Sequence, residues 1–309
     1  MKIYNSIYDF SSNNRTVATI GTFDGVHIGH KKIIEQLVKN CENSNYESVI
    51  LTFFPHPRMV LQKDTDVQLL NTLEEKISVL EKTGINHLII HPFDQRFSRL
   101  TAEEFVESIL VNQLNIKKII IGYDHRFGRN RTANINDLIL FGEQFHFEVN
   151  QISAEEINDV SISSTKIRNA LNEGNICQAN SFLGYHYMLT GVVKEGKKLG
   201  RTIDYPTANI YIEESYKLIP KVGVYAVYSI IDDNKYFGMM NIGFNPTVGG
   251  TEKTIEINYF DFDSDLYGKK LTVFILDRIR DEKKFDSLEL LKNQLQTDKS
   301  TALEIIESL

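Results

Sequence analysis

The pattern of hydrophobic positions changes once along this chain, near residue 184. Before that point, short β-branched and apolar runs alternate with stretches in which apolar residues recur at helical spacing. Strands that alternate with helices usually pair in parallel, so this part is predicted to be α/β with a parallel sheet. The predicted strands are Thr16–Ile20, Val49–Phe53, His87–His91, Lys118–Ile121 and Phe145–Val149.

Two Thr-x-x-Glu sequences, Thr72–Glu75 and Thr101–Glu104, predict helix starts in this part. Such capping boxes satisfy backbone N–H groups that a helix leaves without partners at its N-terminus. Gly84 predicts the end of the first of these helices.

From Met188 onward, apolar and polar residues alternate with a period of two between turn residues, which is typical of an antiparallel barrel. A terminal helix is predicted from the apolar stripe Leu288, Leu291 and Leu295, with a further short helix from about Ser300. The change of pattern divides the chain into domains 1–184 and 185–309. The predicted barrel strands include Val222–Ile231, Tyr236–Ile242, Thr254–Phe262 and Leu271–Leu276.

The composition disfavours several classes of protein. The 309 residues suffice for two hydrophobic cores, and the net charge of −7 disfavours nucleic acid or a membrane surface as a partner. The two cysteines, Cys41 and Cys177, lie outside any zinc-binding or disulfide-framework spacing. No leader-like segment and no apolar window of roughly 18 residues occurs. These features predict a cytoplasmic protein and are compatible with an enzyme, but they do not indicate which one.

The decapeptide Gly21–His30 carries the most informative chemistry of the first part. Gly21 and Gly25 allow a sharp turn and a close approach of the backbone to a ligand. His27 and His30 lie one turn apart at the start of the next predicted helix, where free N–H groups and the positive helix end favour an anion. The segment predicts a phosphate site; the alternative is an ordinary loop whose histidines only cap the helix.

Two other segments of the first part combine cationic and polar side chains. Gly122–Arg131 follows a predicted strand, at the sheet edge where α/β proteins bind ligands. Ser163–Arg168 opens a predicted helix with hydroxyls, a lysine and an arginine that suit an anion. The alternatives are a solvated charged face for the first segment and simple helix capping for the second.

In the second part, the loop Gly191–Arg201 interleaves glycines and lysines, which suits a backbone cradle for phosphates but lacks Walker A spacing. In the PTAN sequence that follows, the Thr207 hydroxyl and the Asn209 amide oxygen lie at i and i+2 of an extended segment and face one side. Such oxygens suit Mg²⁺, although a turn held by the same side chains is the alternative.

Glu256 lies in an alternating strand, on the same face as Thr254 and Asn258, with Ile255 and Ile257 opposite. Periodicity alone favours a surface residue at this position.

The first part resembles the adenylyltransferases with an HxGH signature. Its GTFDGVHIGH sequence at Gly21–His30 resembles in particular the bacterial bifunctional riboflavin kinase/FAD synthetases. The segments Gly122–Arg131, Ser163–Arg168 and Phe53–Pro57 are similar to that family's GxDFRFG, SSTxIR and FPHP motifs.

The resemblance implies a Rossmann-like nucleotidyltransferase domain in which His27 and His30 stabilise the transition state at the α-phosphorus of ATP. His56 would contact the flavin, although a loop-filling role is the alternative. His125 departs from the family, which has phenylalanine there. The implied nucleotide-binding or phosphate-binding residues are Gly21, Phe23, Asp24, Gly25, Gly29, Asp124, Arg126, Ser164, Thr165 and Arg168.

The second part resembles the riboflavin kinase domain of the same family through its glycine loop and PTAN sequence. The resemblance implies that Thr207 and Asn209 bind Mg²⁺ and that Glu256 is the catalytic carboxylate. Two departures are Asp204–Tyr205 in place of Gly-Phe and Asn258 in place of histidine. The implied nucleotide contacts are Gly191, Gly196, Lys197, Gly200 and Arg201, and the implied flavin contacts are Arg280 and Phe285.

The resemblance therefore implies a bifunctional enzyme of flavin biosynthesis. The C-terminal barrel would phosphorylate riboflavin to FMN, and the N-terminal domain would transfer the adenylyl group of ATP to FMN, giving FAD and pyrophosphate with Mg²⁺ on the phosphates. One alternative is a riboflavin kinase with an inactive N-terminal scaffold, which the intact HxGH and SSTxIR segments disfavour. Another is a non-enzymatic flavin-sensing regulator, which the net charge of −7 and Glu256 disfavour.

Overall fold

The computed structural model describes residues 1–61, 67–122, 125–153, 162–196, 205–247 and 250–308. The chain forms two compact units. The first comprises Met1–Gln68 and Lys76–Ser163, and the second comprises Leu69–Glu75 and Ser164–Leu309. A short piece from the first half of the sequence therefore packs with the second half.

The strands are β1 (Lys2–Tyr4), β2 (Thr16–Ile20), β3 (Glu47–Phe53), β4 (His87–His91), β5 (Ile116–Gly122), β6 (Glu148–Ile152), β7 (Met188–Lys194), β8 (Ala208–Tyr211), β9 (Gly223–Ile231), β10 (Asn234–Thr247), β11 (Gly250–Tyr259) and β12 (Lys270–Arg280). The helices are α1 (Ile28–Cys41), α2 (Pro57–Leu61), α3 (Leu73–Leu80), α4 (Ala102–Phe105), α5 (Ile135–Phe145), α6 (Ser164–Glu173), α7 (Ile176–Leu183) and α8 (Leu288–Glu307). None of the helices in the described residues is long and apolar enough to cross a membrane.

In the first unit, six parallel strands form one sheet in the order β1-β4-β3-β2-β5-β6, which confirms the α/β prediction. Every residue of β2 and of β4 is buried, as expected for strands covered on both faces. The chain continues from β2 to β3 on one side and later adds β5 on the other side of β2. Open α/β sheets bind ligands at the carboxyl ends of the strands that flank such a reversal.

The last strand of this sheet begins three residues later than predicted. α5 continues through Phe145, and His146 ends it in the left-handed conformation with φ of 62°, so β6 begins only at Glu148. The ring of Phe145 lies 6.4 Å from that of Phe141 one helical turn earlier. Phe145 therefore packs with Phe141 on the apolar face of α5 and does not belong to β6.

In the second unit, six strands close into an antiparallel barrel in the order β10-β11-β8-β7-β12-β9, as predicted. α8 packs on it through Leu295, Ala302 and Ile305. This helix is continuous, and the separate helix expected from about Ser300 is wrong. The Ser300 hydroxyl bonds back to the Gln296 carbonyl at 3.2 Å and does not cap a new helix.

Candidate active sites

The loop between β2 and α1 has an unusual backbone. Phe23, Gly25 and Val26 all have positive φ angles, of 47°, 84° and 36°. Positive φ is a genuine outlier for a β-branched residue such as Val26, and such conformations persist only where the surroundings enforce them. Both Phe23 and Val26 are buried, which fixes the turn in this shape.

His27 and His30 meet at the N-terminus of α1, as predicted. His27 is the N-cap residue, and its Nδ1 accepts a hydrogen bond from the His30 backbone N–H at 3.4 Å. The two rings stack with centroids 3.7 Å apart. Although His30 as a residue is only partly buried, its Nδ1 is buried and has no hydrogen-bond partner among the described residues. A buried polar atom of this kind, at a helix N-terminus, is suited to a ligand.

The pKa of His30 is held well below its ordinary value, first by burial and then by the nearby His27 and Lys76. His30 is therefore neutral at pH 7, and a neutral ring can donate one hydrogen bond and accept another.

Lys76 is a charged residue of this site that sequence reasoning missed. It is 4% exposed, and its ammonium donates to the Thr22 carbonyl at 2.7 Å. Burial lowers the pKa of Lys76 to about 8, while Asp24, itself 2% exposed, raises it. The available signal was a lysine on the apolar face of a predicted helix, between Leu73 and Leu80.

The remaining predicted residues of the first part are placed as follows. Asp124 lies outside the described residues, and Arg126 is exposed. His56 is 9% exposed, and its Nδ1 accepts the Arg58 backbone N–H at 3.1 Å, so the ring helps to start α2. Its flavin contact stays a prediction.

Ser164, Thr165 and Arg168 lie on the first two turns of α6, which packs within the second unit. Their predicted role in holding the triphosphate of the first unit stays a prediction.

In the second unit, Thr207, Asn209 and Glu256 come together. The Thr207 hydroxyl donates to Glu256 Oε2 at 3.4 Å. Asn209 lies directly opposite Glu256 in the antiparallel pair of β8 and β11, so both side chains project from the same face. Asn241 on β10 faces Glu256 from the other neighbouring strand, which sequence reasoning had not singled out.

Gly196 packs against this group. A Cβ placed there would overlap the Asn209 side-chain amide, so any other residue at this position would displace that amide. The other predicted residues of this loop, Lys197, Gly200 and Arg201, lie outside the described residues. Gly191 lies in β7, where a Cβ would collide with the Tyr211 backbone, so its lack of a side chain serves strand packing.

Asn258, the departure from histidine, also has a defined contact. Its Nδ2 donates to the Pro206 carbonyl at 2.8 Å and thereby supports the PTAN segment.

A cavity of about 450 Å³ lies beside Asn258. Its lining includes Tyr205, Pro206, Asn258, Phe260, Lys292 and Lys299. Its aromatic walls suit a planar small molecule, and its two lysines are offset by Asp261 and Asp263 in the same lining.

Arg280 and Phe285 were the predicted flavin contacts. The Arg280 guanidinium is bonded to Asp298 of α8 by Nε at 2.8 Å and by Nη2 at 2.7 Å, and it lies 5.7 Å from the Phe285 ring. Asp298 is 1% exposed, so this pair fixes the terminal helix to β12. A flavin contact by Arg280 stays a prediction.

The oxygen-rich group around Glu256 fits a hard divalent cation, because Thr207 and Asn209 supply neutral oxygens and Glu256 a carboxylate. Within the described residues, no group of three or more His, Cys, Asp or Glu side chains could hold a metal ion. In the described part of the chain, a Mg²⁺ ion at this group would therefore be held by the oxygens of Thr207 and Asn209, beside the Glu256 carboxylate and together with substrate phosphates.

Comparison with known proteins gives a consistent result over the whole chain. Residues 9–166 match the FAD synthetase family, and residues 183–306 match the riboflavin kinase family. A bifunctional riboflavin kinase/FMN adenylyltransferase of Buchnera aphidicola is 38% identical over 96% of both chains. The enzyme of the same description from Escherichia coli K12 is 35% identical, covering 98% of this chain and 97% of its own.

A solved structure described as a macrolide-efflux protein from Streptococcus pneumoniae is also similar. It has a TM-score of 0.89 and 33% identity, and the match covers 97% of this chain and 98% of that chain. A solved structure thus shares the fold over nearly the whole chain.

Proposed function

The chain belongs to the family of bifunctional riboflavin kinase/FMN adenylyltransferases, and we propose that it divides the two reactions between the two sites described above. It is a riboflavin kinase and an FMN adenylyltransferase, with ATP and flavins as substrates. Which residues perform each reaction is our proposal.

For the kinase reaction, we assign Glu256 as the base. Its carboxylate would take the proton of the riboflavin 5′-hydroxyl while that oxygen bonds to the γ-phosphorus of ATP and ADP leaves. The observation that carries this assignment is the 3.4 Å contact between Thr207 Oγ1 and Glu256 Oε2, with Asn209 opposite. Thr207 and Asn209 would hold Mg²⁺, which neutralises phosphate charge when bound.

For adenylyl transfer, we assign His27, His30 and the N-terminus of α1. A phosphate oxygen of FMN would attack the α-phosphorus of ATP, and pyrophosphate would leave. This nucleophile is already anionic, so the site needs charge stabilisation and no strong base. The supporting observation is the buried Nδ1 of His30, which has no hydrogen-bond partner among the described residues and lies at the N-terminus of α1.

We propose that the adenylyltransferase domain spans residues 1–184 and the kinase domain 185–309. The family matches end at 166 and begin at 183, which supports a boundary in this region. We also propose that the enzyme acts in the cytoplasm on small molecules, without nucleic-acid partners, which its net charge of −7 supports.

The decisive experiment incubates the full chain with riboflavin, Mg²⁺ and ATP and separates riboflavin, FMN and FAD over time. We expect FMN first and FAD after it. FMN without FAD would instead support a kinase with an inactive scaffold. No consumption of ATP or riboflavin would support a flavin-sensing regulator.

A further inference from the structure

The buried ammonium group of Lys76 contacts the loop between β2 and α1, which leads into the proposed adenylyl-transfer site. The Thr22 carbonyl accepts the Lys76 ammonium at 2.7 Å and the Thr52 hydroxyl at 3.2 Å. Thr22 lies between Gly21 and Phe23, at the start of the positive-φ turn. These two donors therefore fix the point from which the loop departs β2.

Holding the Thr22 carbonyl does not by itself require a buried lysine. Burying an ammonium disfavours its charged form, and a neutral donor such as Thr52 already bonds the same oxygen. What a lysine adds is positive charge. Asp24, buried in the same loop, favours that charge, and the charge reaches far enough to act on His30.

We propose that Lys76 is a positioning residue for adenylyl transfer, which holds the Thr22–Val26 turn and supplies a buried positive charge beneath the triphosphate of ATP. The inference rests on the proposed site at His27 and His30. Lys76 acts through the loop and through the electrostatic potential at that site, and it carries out no chemical step.

Loss of the Lys76 charge at alkaline pH should lower the rate of adenylyl transfer and raise the free energy of unfolding. The pKa of Lys76 is about 8, below its ordinary 10.5, so the folded protein loses this proton near pH 8 while the unfolded chain keeps it to about pH 10. Between these values the unfolded state binds more protons, so the free energy of unfolding rises with pH. Adenylyl transfer should fall over the same interval, because the cation is lost. Lys76 interacts electrostatically with Asp24 and His30, and His30 in turn interacts with His27.

The test uses full-length Lys76→Met, which keeps the volume of the side chain, and Lys76→Arg, which keeps the charge. FMN adenylylation and riboflavin phosphorylation are measured in the same preparations from pH 6 to 10, together with thermal midpoints. We expect kcat for adenylylation by the Met variant to fall about 10- to 100-fold at pH 7, with the kinase rate retained. The Arg variant should recover part of the loss. Exposed Lys82, changed to Met, is the matched control.

The pH profile separates this role from simple structural support. The alkaline decline in adenylylation near pH 8 should disappear in Lys76→Met. Its thermal midpoint at pH 7 should equal or exceed that of the parent, because burial disfavours the charged form of Lys76 by more than Asp24 favours it. Wild-type adenylylation by the Met variant would overturn the proposal, as would a lowered midpoint with equal loss of both activities. If a His27→Ala/His30→Ala variant kept its adenylylation rate, the proposed site itself would be wrong, whatever Lys76 does.

Discussion

At the scale of single residues, the two sites differ in the chemistry that they can supply. The kinase site offers a carboxylate, Glu256, which can accept a proton. The adenylyl site offers rings at a helix N-terminus, and the pKa of His30 is kept low by burial. This difference fits our proposal that one site removes a proton from an alcohol and the other stabilises charge on phosphates.

Glu256→Gln keeps the size of the side chain but removes the proton acceptor. Loss of a general base costs about 10²–10⁴ in rate, so riboflavin should persist in the presence of ATP. Added FMN should still be converted to FAD, which serves as the control for folding. A Gln variant with the full kinase rate would disprove the assignment of the base.

Changing both His27 and His30 to alanine should have the reverse effect. Loss of even one group that stabilises transition-state charge costs about 10²–10³ in rate, so FMN should accumulate without FAD. The kinase site contains neither residue, and its rate is the internal control. Mixing this variant with Glu256→Gln should restore conversion of riboflavin to FAD if FMN diffuses between molecules. If the histidine variant alone still made FAD, the assignment of His27 and His30 would be contradicted.

At the scale of elements, the segment Leu69–Glu75 belongs to the second unit, although the rest of that unit begins only at Ser164. Residues Leu69–Glu75 pack with the barrel, where Leu69 exchanges backbone hydrogen bonds with Tyr216 and Leu218. Glu75 bonds the Lys217 ammonium at 2.6 Å and the Thr190 backbone N–H at 2.8 Å. Both charged side chains are at most 1% exposed, so the pair lies in a dry environment.

Glu75→Gln should destabilise the protein strongly, because Lys217 stays buried after its carboxylate partner is removed. Breaking a buried ion pair typically costs about 3–5 kcal/mol. Denaturant unfolding measures this loss, and Lys217→Met added to the same chain should restore part of it. Glu74→Gln is the matched control, since Glu74 pairs with Lys270 at the surface, where an ion pair contributes about 0–1 kcal/mol. Equal effects at 74 and 75 would contradict the argument.

At the scale of the whole molecule, the contacts of the barrel extend beyond the proposed kinase domain. Asn180 of α7 donates to the Ile275 carbonyl at 3.0 Å and accepts the Tyr187 backbone N–H at 2.7 Å. The Leu171 carbonyl of α6 accepts the Lys221 backbone N–H at 3.0 Å. Helices α6 and α7 therefore support the barrel although they precede residue 185.

We expect fragment 185–309 to make FMN, because Thr207, Asn209 and Glu256 all lie within it. It should unfold at a lower temperature than fragment 164–309, which keeps α6 and α7. Thermal unfolding and riboflavin phosphorylation are measured in parallel. A folded 185–309 fragment that binds riboflavin but cannot phosphorylate it would refute the proposed boundary.

The sequence by itself determined the local features of this protein. The alternation of strands and helices, the period-two strands of the barrel and the capping boxes at Thr72 and Thr101 were all confirmed. Gly84, predicted as a helix end, has φ of 80° and ends the 3₁₀ turn Glu81–Thr83 that follows α3. Each of these signals depends on residues within about four positions of one another, so the linear pattern contains it.

Only the tertiary structure decided which distant side chains meet. Lys76 reaches Thr22 across 54 residues, Glu75 reaches Lys217 across 142, and Thr207 reaches Glu256 across 49. The pair of Arg280 with Asp298, which supports α8, is likewise a contact that only the tertiary structure shows. Such pairs depend on strand order and register, which the packing of the whole chain selects, because no residue pattern near Lys76 or Glu75 specifies the partner that burial will bring to it.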